Sequence, residues 1–520
     1  MPDSGGRWSP RYRVFVVTLV LVVVIAITST SVLLTSLLLA AETDHRWSAG
    51  SVLRLLAVGV VVILSGVSVN FLPKAIRTVW HNPERANIGF VDLAGRLGRA
   101  LRRPLKQVGI GLTVVAIVAA GVAFRPASTG LEPGPLVLMT GFSESASDPR
   151  SMLVNQWNQL NPDNPVVFNV SPGEPDQQNA RMVNDAKPDG EHEADVYVLD
   201  VVWMAQFADR GYIRPLDQAR LSAQDTGDFV PKVLDTCKRG GTLWALPFNT
   251  DVGLLFHRTD IPGVVSPKTW DDYYGSAAKA AAARTPGVAA ANAAQLANEE
   301  VLTVTAFEAI WAAGGEVVDK TGQVLHNPDK SEVYFGQADL KGIANLAAAS
   351  RDPDIVLTED DEARKTAETA ASDAFREGRT LYMRNWPVAV DRVGESVPFG
   401  VAVPPSPSVL GGQNLAISAS TDKPRAAQAL IEFLTSAQSQ LLLSEIGGFA
   451  PTRQSAFSNA KRPDRQAVRT ALDGARLRPV TRNYPEFSRV FRQGILRALN
   501  DNGKLEDGFA EELAAILRRP

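Results

Sequence analysis

The chain has 520 residues, a formal net charge of −3, five histidines and a single cysteine, Cys237. One cysteine excludes an intramolecular disulfide and a cysteine-based metal centre, and the scattered histidines have no metal-ligand spacing. Neither a metal nor a nucleotide cofactor is therefore expected, because a phosphate-binding loop motif is also missing. The charge is unevenly divided: residues 1–130 hold 14 Lys/Arg against 5 Asp/Glu, and the remainder holds 39 against 51. The acidic larger part disfavours nucleic acid as a partner.

Three long apolar segments lie in residues 1–130. The first is a run of 28 positions without a charged side chain, and two further runs of 18 follow it. A bilayer core requires about 20 apolar residues of helix. We therefore predict three transmembrane helices at about residues 14–41, 53–72 and 107–124, which makes the lipid bilayer a partner. A buried core helix is the alternative interpretation, and it is stronger for the two shorter runs.

The basic residues between the apolar runs indicate how this anchor is oriented. The segment 73–106 carries eight Lys/Arg against two Asp/Glu, whereas the segment between the first two runs is nearly balanced. Cytoplasmic loops are the ones enriched in Lys and Arg. The sequence therefore predicts a multi-pass protein of the cell membrane with a cytoplasmic N-terminus, a cytoplasmic loop at 73–106 and an extracellular C-terminal module. Cleavage as a secretory signal is a minor alternative.

From residue 131 onward, short apolar runs alternate with amphipathic stretches. About 390 residues exceed one ordinary domain core, so two lobes are expected. This alternation favours an α/β fold of parallel sheets with helices on both faces, in which ligands bind beyond the carboxyl ends of the strands. The predicted strands lie near residues 136–139, 166–170, 196–199, 253–257, 380–383 and 399–403, and the predicted helices near 151–160, 202–210, 270–283, 301–313 and 426–435.

Several segments, in a consistent order, resemble one protein family. Leu-Met-Thr-Gly-Phe-Ser at 138–143 and Ala-Asp-Val-Tyr-Val-Leu-Asp at 194–200 resemble its first strands. Leu-Pro-Phe-Asn-Thr-Asp at 246–251 and Gly-Gly-Gln-Asn at 411–414 resemble crossings between its lobes, and Gly-Gly-Phe-Ala-Pro-Thr-Arg at 447–453 resembles a closing segment. Together they are similar to the extracellular solute-binding protein family 1, the maltose- and trehalose-binding-like proteins of ABC importers.

This resemblance, which covers about 135–515, implies both a fold and a function. The fold would be two-lobed and periplasmic-binding-protein-like, with three hinge crossings. Lobe one would comprise about 131–249 and 412–450, and lobe two about 252–410 and 453–520. The protein would not be an enzyme. It would capture a carbohydrate ligand, a di- or oligosaccharide, in the cleft between the lobes and deliver it to the permease subunits of an ABC importer.

Polar and aromatic residues near the expected cleft are the candidate ligand-binding residues. Sugar hydroxyls require hydrogen-bond donors and acceptors, and the C–H faces of a sugar ring pack on flat aromatic side chains. Asp200 follows a predicted strand, and Glu308 and Trp311 share one helix face at i, i+3. The full set is Glu144, Asp200, Trp203, Asn249, Asp251, Glu300, Glu308, Trp311, Trp386, Gly412, Asn414 and Arg453.

The sequence leaves alternatives open for these residues and for the function. Asp200 can cap the following helix, Trp203 and Trp311 can be core aromatics, and Asn249 and Asp251 can serve the hinge alone. A membrane receptor that relays sugar occupancy to a cytoplasmic partner is the main alternative to the importer role. An exported glycoside hydrolase with a catalytic carboxylate pair is a less favoured one.

Overall fold

The computed structural model describes residues 130–141, 148–171, 173–221, 226–319, 322, 333–358 and 366–519. This part of the chain belongs to one compact unit that begins at Gly130. The predicted transmembrane helices and the basic loop 73–106 lie outside the described residues. Within the ranges given above, no helix combines the length and apolar character needed to cross a membrane.

Strands and helices alternate along the unit, as the sequence pattern predicts. The strands are β1 (Leu136–Gly141), β2 (Val166–Ser171), β3 (Val196–Asp200), β4 (Ile213–Arg214), β5 (Lys238–Arg239), β6 (Thr242–Leu243), β7 (Ala245–Val252), β8 (Leu254–Arg258), β9 (Ala290–Ala293), β10 (Val356–Leu357), β11 (Thr380–Asn385), β12 (Phe399–Ala402) and β13 (Leu410–Ser418). The helices are α1 (Arg150–Leu160), α2 (Pro175–Ala186), α3 (Met204–Asp209), α4 (Pro231–Asp235), α5 (Trp270–Tyr274), α6 (Ser276–Ala283), α7 (Glu300–Ala312), α8 (Gln337–Ser350), α9 (Ala367–Arg376), α10 (Ala389–Val393), α11 (Pro424–Leu434), α12 (Ala437–Gly447), α13 (Gln454–Asn459), α14 (Arg465–Gly474), α15 (Tyr484–Asn500) and α16 (Phe509–Leu517).

Two large sheets form the two lobes of the fold. Sheet one has the order β2-β1-β3-β13-β4, and β7 also pairs with β13. Sheet two has the order β10-β9-β11-β8-β12. We call the part built on sheet one lobe one and the part built on sheet two lobe two. The expectation of a two-lobed α/β fold is therefore confirmed.

The prediction of parallel sheets is correct for part of each sheet only, because both sheets are mixed. In sheet one, β1 is parallel to β2 and β3, whereas β13 is antiparallel to β3, β4 and β7. In sheet two, β9 is parallel to β10 and β11, whereas β8 is antiparallel to β11 and β12. The reversed strands β8 and β13 each follow a segment that passes from one lobe to the other. Each of them therefore runs in the direction opposite to its neighbours in the sheet.

The predicted helix at 270–283 is two helices, and Gly275 separates them. Gly275 has an extended backbone, with φ −89° and ψ −178°. A Cβ at this position would lie 2.2 Å from the Asp271 carbonyl oxygen, so only glycine fits the tight break. Thr269 starts the first helix as a cap, and it accepts a hydrogen bond from the Asp272 N–H at 3.0 Å.

The segments that connect the lobes lie side by side. β7 continues into β8 through Gly253, whose N–H donates to Ser408 Oγ at 3.1 Å. β13 returns beside β7, with its Gly412 opposite Thr250. The Thr250 N–H also donates to the Ala450 carbonyl at 3.2 Å, in a third crossing segment. Short adjacent segments of this kind can act as a hinge between two lobes.

The long helix α15, near the C-terminus, packs against elements of both lobes. It packs on α7 and α8, and it also contacts the 3₁₀ turn Val201–Trp203 at the end of β3. Phe307 of α7 and Phe491 of α15 stack with ring centroids 4.9 Å apart. Both rings belong to the same apolar cluster as Leu138 of β1. The side chains of α15 therefore lie where the two lobes approach each other.

Candidate ligand-binding site between the lobes

The carboxyl ends of β1 and β3 lie at one edge of sheet one, because these strands are parallel neighbours. Asp200 ends β3, and its carboxylate accepts a hydrogen bond from the Val202 N–H at 3.1 Å. This contact caps the turn at Val201–Trp203. The Asp200 carboxylate also lies 3.6 Å from Nη2 of Arg478. Asp200 is thus both a cap in lobe one and an ionic partner of the C-terminal segment.

Glu300, the first residue of α7, accepts several hydrogen bonds from the C-terminal segment that contains Arg478. Its carboxylate accepts hydrogen bonds from Arg478 Nη1 at 2.5 Å, from Ser488 Oγ at 2.6 Å and from the Tyr484 hydroxyl. Tyr484 and Ser488 are four residues apart on α15 and therefore face the same side. The Arg478 side chain is only 3% exposed. This guanidinium joins Glu300 of lobe two to Asp200 of lobe one.

Arg492 forms a second ionic contact between the lobes. It lies one helical turn beyond Ser488, and its Nη1 is 3.7 Å from the Glu300 carboxylate. Its Nε donates to Asn298 at 3.2 Å, and its Nη2 pairs with Asp176 in the first turn of α2. We refer to the residues that meet in this way as the inter-lobe cluster: Asp176, Asp200, Glu300, Arg478, Tyr484, Ser488 and Arg492.

Burial controls the protonation of this cluster. It raises the pKa of Asp200, and the neighbouring Arg478 opposes that rise. It also raises the pKa of Tyr484 well above its ordinary value, so the phenol keeps its proton and donates a hydrogen bond to Glu300. Burial lowers the pKa of Arg478, but Tyr484, Asp200 and Glu300 outweigh it and raise the pKa overall. Arg478 therefore stays charged, and its Nε has no hydrogen-bond partner among the residues described.

A second group of predicted residues meets at the crossing of β7 and β13. Asn249 Nδ2 donates to Asp251 Oδ2 at 3.1 Å. Gly412 lies beside them with φ +115°, and a Cβ there would come within 2.4 Å of the Asn249 carbonyl oxygen. Glycine is therefore required for the close approach of these strands. The partly exposed Trp386 lies nearby, with the Arg384 guanidinium 3.9 Å from its ring centroid.

The predicted pair Glu308 and Trp311 lies inside lobe two, apart from the inter-lobe cluster. Glu308 forms two hydrogen bonds with Arg384, at 2.6 and 2.9 Å, and accepts a third from the Val409 N–H at 3.0 Å. Trp311 is 4% exposed and packs on Phe307. Both side chains are buried, Glu308 against Arg384 and Trp311 in the apolar cluster that also holds Phe307.

The remaining predicted residues do not join either group. Trp203 is buried in the core of lobe one. Asn414 is fully buried, and its Nδ2 donates to Thr236 Oγ1 at 3.0 Å. Arg453 is buried with its guanidinium 4.0 Å from the Phe229 ring centroid, and its Nε donates to a backbone carbonyl. Glu144 lies outside the described residues.

The sequence analysis did not select Arg478, Tyr484, Ser488 or Arg492 as site residues. One signal was available, because Tyr484, Ser488 and Arg492 recur at i, i+4 and i+8 and form a polar stripe on an otherwise amphipathic helix. Arg478 lies in a segment without regular structure, and its two carboxylate partners are far away in the chain. No local pattern could have identified it.

One group of carboxylates in the described part of the chain is close enough to hold a metal ion, and it lies outside the inter-lobe cluster. It consists of Asp185, Glu191 and Glu193. The Asp185 carboxylate already accepts a hydrogen bond from the Tyr197 hydroxyl at 2.5 Å and another from the Glu193 N–H at 2.7 Å. These contacts give Asp185 a structural role.

Residues 153–470 match the model of a protein family described as bacterial extracellular solute-binding protein. The chain belongs to this family. A relative from Deinococcus radiodurans, named as a probable ABC transporter-binding protein, is 30% identical over 278 residues. That match covers 50% of this chain and 62% of the relative, so it spans less than two thirds of the relative's length. The family consists of binding proteins, which confirms that this chain is not an enzyme and sets aside the hydrolase alternative.

Solved structures share the same two-lobed fold. Maltose-bound MalE3 from T. maritima has a TM-score of 0.62 and 25% identity, and the match covers 74% of this chain and 99% of that one. The GacH receptor of Streptomyces glaucescens matches with a TM-score of 0.62 and 22% identity, with the same coverage. UgpB from Mycobacterium tuberculosis matches with a TM-score of 0.59 and 20% identity over 74% of this chain and 99% of that one. The last two likenesses show the fold alone.

Proposed function

We propose that the chain is a membrane-anchored extracellular solute-binding protein that captures a di- or oligosaccharide between its lobes for an ABC importer. One observation carries the proposal: Asp200 of lobe one and Glu300 of lobe two both engage Arg478, at 3.6 and 2.5 Å. Hydrogen-bonding groups from both lobes thus converge on one point. A ligand bound there would contact both lobes and hold them together.

The chemistry of the inter-lobe cluster favours a neutral, hydroxylated ligand. Three carboxylates are nearly balanced by two guanidinium groups, so the site has little net charge with which to select an ion. Carboxylates accept hydrogen bonds from hydroxyls, and Arg478 can donate to them. The partly exposed Trp386 beside the crossing can offer a flat apolar surface to a sugar ring.

The relatives support the substrate class and the partner. The T. maritima structure, at 25% identity, contains maltose, and the D. radiodurans relative is named as an ABC transporter-binding protein. Membrane attachment rests on the three apolar runs of residues 1–130. The predicted lobe boundaries, at about 250, 411 and 452, are part of the same proposal.

A thermal-shift screen of the full-length chain tests the binding function. The chain is purified in octaethylene glycol monododecyl ether, because maltoside and glucoside detergents would compete for a sugar site. Maltose, trehalose and acarbose are the probes, with glycerophosphocholine as a non-sugar comparison. A ligand at about 100 times its Kd stabilises the folded state by about 2.7 kcal/mol. We expect at least one sugar to raise the melting temperature and to remain intact after prolonged incubation.

Two matched variants assign the binding to the cluster. Glu300→Ala removes an acceptor from the first turn of α7, and we expect it to weaken sugar binding. Glu512→Ala makes the same change in the first turn of α16, where the side chain is exposed, and should bind as the wild type does. Stabilisation by glycerophosphocholine alone would contradict the sugar assignment. Unchanged uptake of the bound sugar in a strain without this gene would argue against the importer role and favour the receptor alternative.

A further inference from the structure

A separate cavity of about 330 Å³ lies within lobe two. It is enclosed by α5, by α7, by α8 and by the segment that follows β9. Residues from all these elements line it, and none of the lining residues belongs to sheet one or to α15. The cavity is therefore distinct from the inter-lobe cluster.

Two residues that line this cavity carry buried polar atoms without partners among the described residues. Gln295 is 3% exposed, and neither its amide oxygen nor its amide nitrogen has a hydrogen-bond partner among the described residues. Arg384 is also buried, and its Nη1 likewise has no hydrogen-bond partner among the described residues. Each buried polar group left unpaired costs about 1–3 kcal/mol. Such groups require an explanation, and a ligand that pairs with them provides one.

One wall of the cavity is aromatic. The rings of Trp270 and Tyr274 stack with centroids 5.7 Å apart and an interplanar angle of 15°. Trp270 is held in place because its Nε1 donates to Ser406 Oγ at 2.8 Å. The exposed residues Asp271 and Asn345 also line the cavity and place its opening at the surface. A ligand can therefore enter from solvent and pack against flat rings.

Size and charge restrict the ligand. Water occupies about 30 Å³ per molecule in the liquid, so the cavity has room for roughly a dozen non-hydrogen atoms. Glu308 and Arg384 neutralise each other at 2.6 Å, and Asp271 adds a negative charge near the opening. An anion is therefore disfavoured. The unpaired donors of Gln295 and Arg384 and the unpaired Gln295 amide oxygen suit hydroxyl groups, which both donate and accept hydrogen bonds.

We propose that this cavity is a second binding site, for a neutral hydroxylated ring of monosaccharide size. The ring packs on Trp270 and Tyr274, and its hydroxyls pair with the Gln295 amide and with Nη1 of Arg384. The site does not depend on the inter-lobe cluster, so its occupancy is independent of the sugar proposed to bind between the lobes.

Titration calorimetry on the full-length chain, in the same sugar-free detergent, tests this site. The probes are myo-inositol and D-glucose, with glucose 6-phosphate as an anionic ring of similar size. Gln295→Leu removes the unpaired amide at nearly constant volume, and Ala312→Phe fills the cavity from α7. Ala313→Phe is the matched control, because the neighbouring Ala313 does not line the cavity.

We expect myo-inositol or glucose to bind the wild type and glucose 6-phosphate to bind more weakly. Gln295→Leu and Ala312→Phe should each lower the affinity for the neutral probe by roughly tenfold or more. The first variant loses two buried hydrogen bonds, and the second loses the space for the ligand. Ala313→Phe should keep the wild-type affinity. The proposal is overturned if no neutral probe binds, if Asp200→Ala rather than Ala312→Phe abolishes binding, or if both phenylalanine variants lose it equally.

Discussion

Asp200 has two separable functions in the structure, and two substitutions distinguish them. Its carboxylate caps the turn at Val201–Trp203 through the Val202 N–H, and it also faces Arg478 in the inter-lobe cluster. Asn is as good a cap as Asp, so Asp200→Asn keeps the first contact and removes only the charge. Asp200→Ala removes both. The difference in stability between the two variants therefore measures the contribution of the cap.

The expected sizes of the effects follow from these contacts. Loss of the cap costs about 1 kcal/mol. For a folded unit of this length, unfolding has an entropy of roughly 0.8 kcal/mol/K, so the melting temperature of Asp200→Ala should fall about 1 °C below that of Asp200→Asn. A hydrogen bond from a sugar hydroxyl to a carboxylate contributes about 1.5–3 kcal/mol, which corresponds to a 10- to 150-fold loss of affinity in Asp200→Ala. Asp200→Asn should lose less, because a neutral acceptor forms a weaker bond.

The assay combines titration calorimetry, using the sugar found in the thermal-shift screen, with melting curves for both variants. We expect sugar affinity in the order wild type, Asn, Ala, and a melting temperature for Ala about 1 °C below that of Asn. Equal affinity in all three proteins, with a lower melting temperature for Ala, would show that Asp200 is a cap alone. The ligand site would then lie elsewhere than at the inter-lobe cluster.

Three further predictions concern topology, the hinge and pH. A reporter fused after Pro520 should be exported and one inserted at Arg85 should be cytoplasmic; the reverse pattern would contradict the predicted anchor. Gly412→Ala should destabilise the protein by about 1–3 kcal/mol through its positive φ and the contact with β7, whereas Gly411→Ala, with no contact under 3.4 Å, should melt nearly as the wild type does. Burial lowers the pKa of His257, so the unfolded chain binds more protons below about pH 6.5 and stability falls there. His257→Gln should therefore lose less melting temperature between pH 7.5 and 5 than the wild type, and equal losses would exclude this contribution.

The strands and helices were accessible from the sequence because their signals are local. Alternating apolar runs located most of the larger strands and several helices to within a few residues, as in α7, predicted at 301–313 and observed at Glu300–Ala312. The break at Gly275 was missed because it depends on a contact with Asp271 that no periodic pattern records. Strand direction was also missed, since a buried strand has the same composition whichever way it runs.

Among the candidate site residues, residue type did not separate positions between the lobes from positions in the core. Asp200 and Glu300 meet at Arg478. Trp311 has the residue type expected for sugar stacking, yet it is buried and packs on Phe307. A tryptophan is as suitable for a core as for a binding surface, so its type cannot separate the two roles. Only the packing of α7 against its neighbours decides which face is buried.

The sequence by itself determined the division into a basic apolar N-terminal part and an acidic α/β part, and the order of most elements within the latter. Composition and hydrophobic periodicity are properties of short stretches of sequence, so they can be determined without three-dimensional information. The tertiary structure alone decided that α15 brings Tyr484 and Ser488 to Glu300, and that Gln295 is buried without a partner beside a cavity. Such contacts join residues that are distant in the chain, and they depend on strand order and on the crossings between lobes.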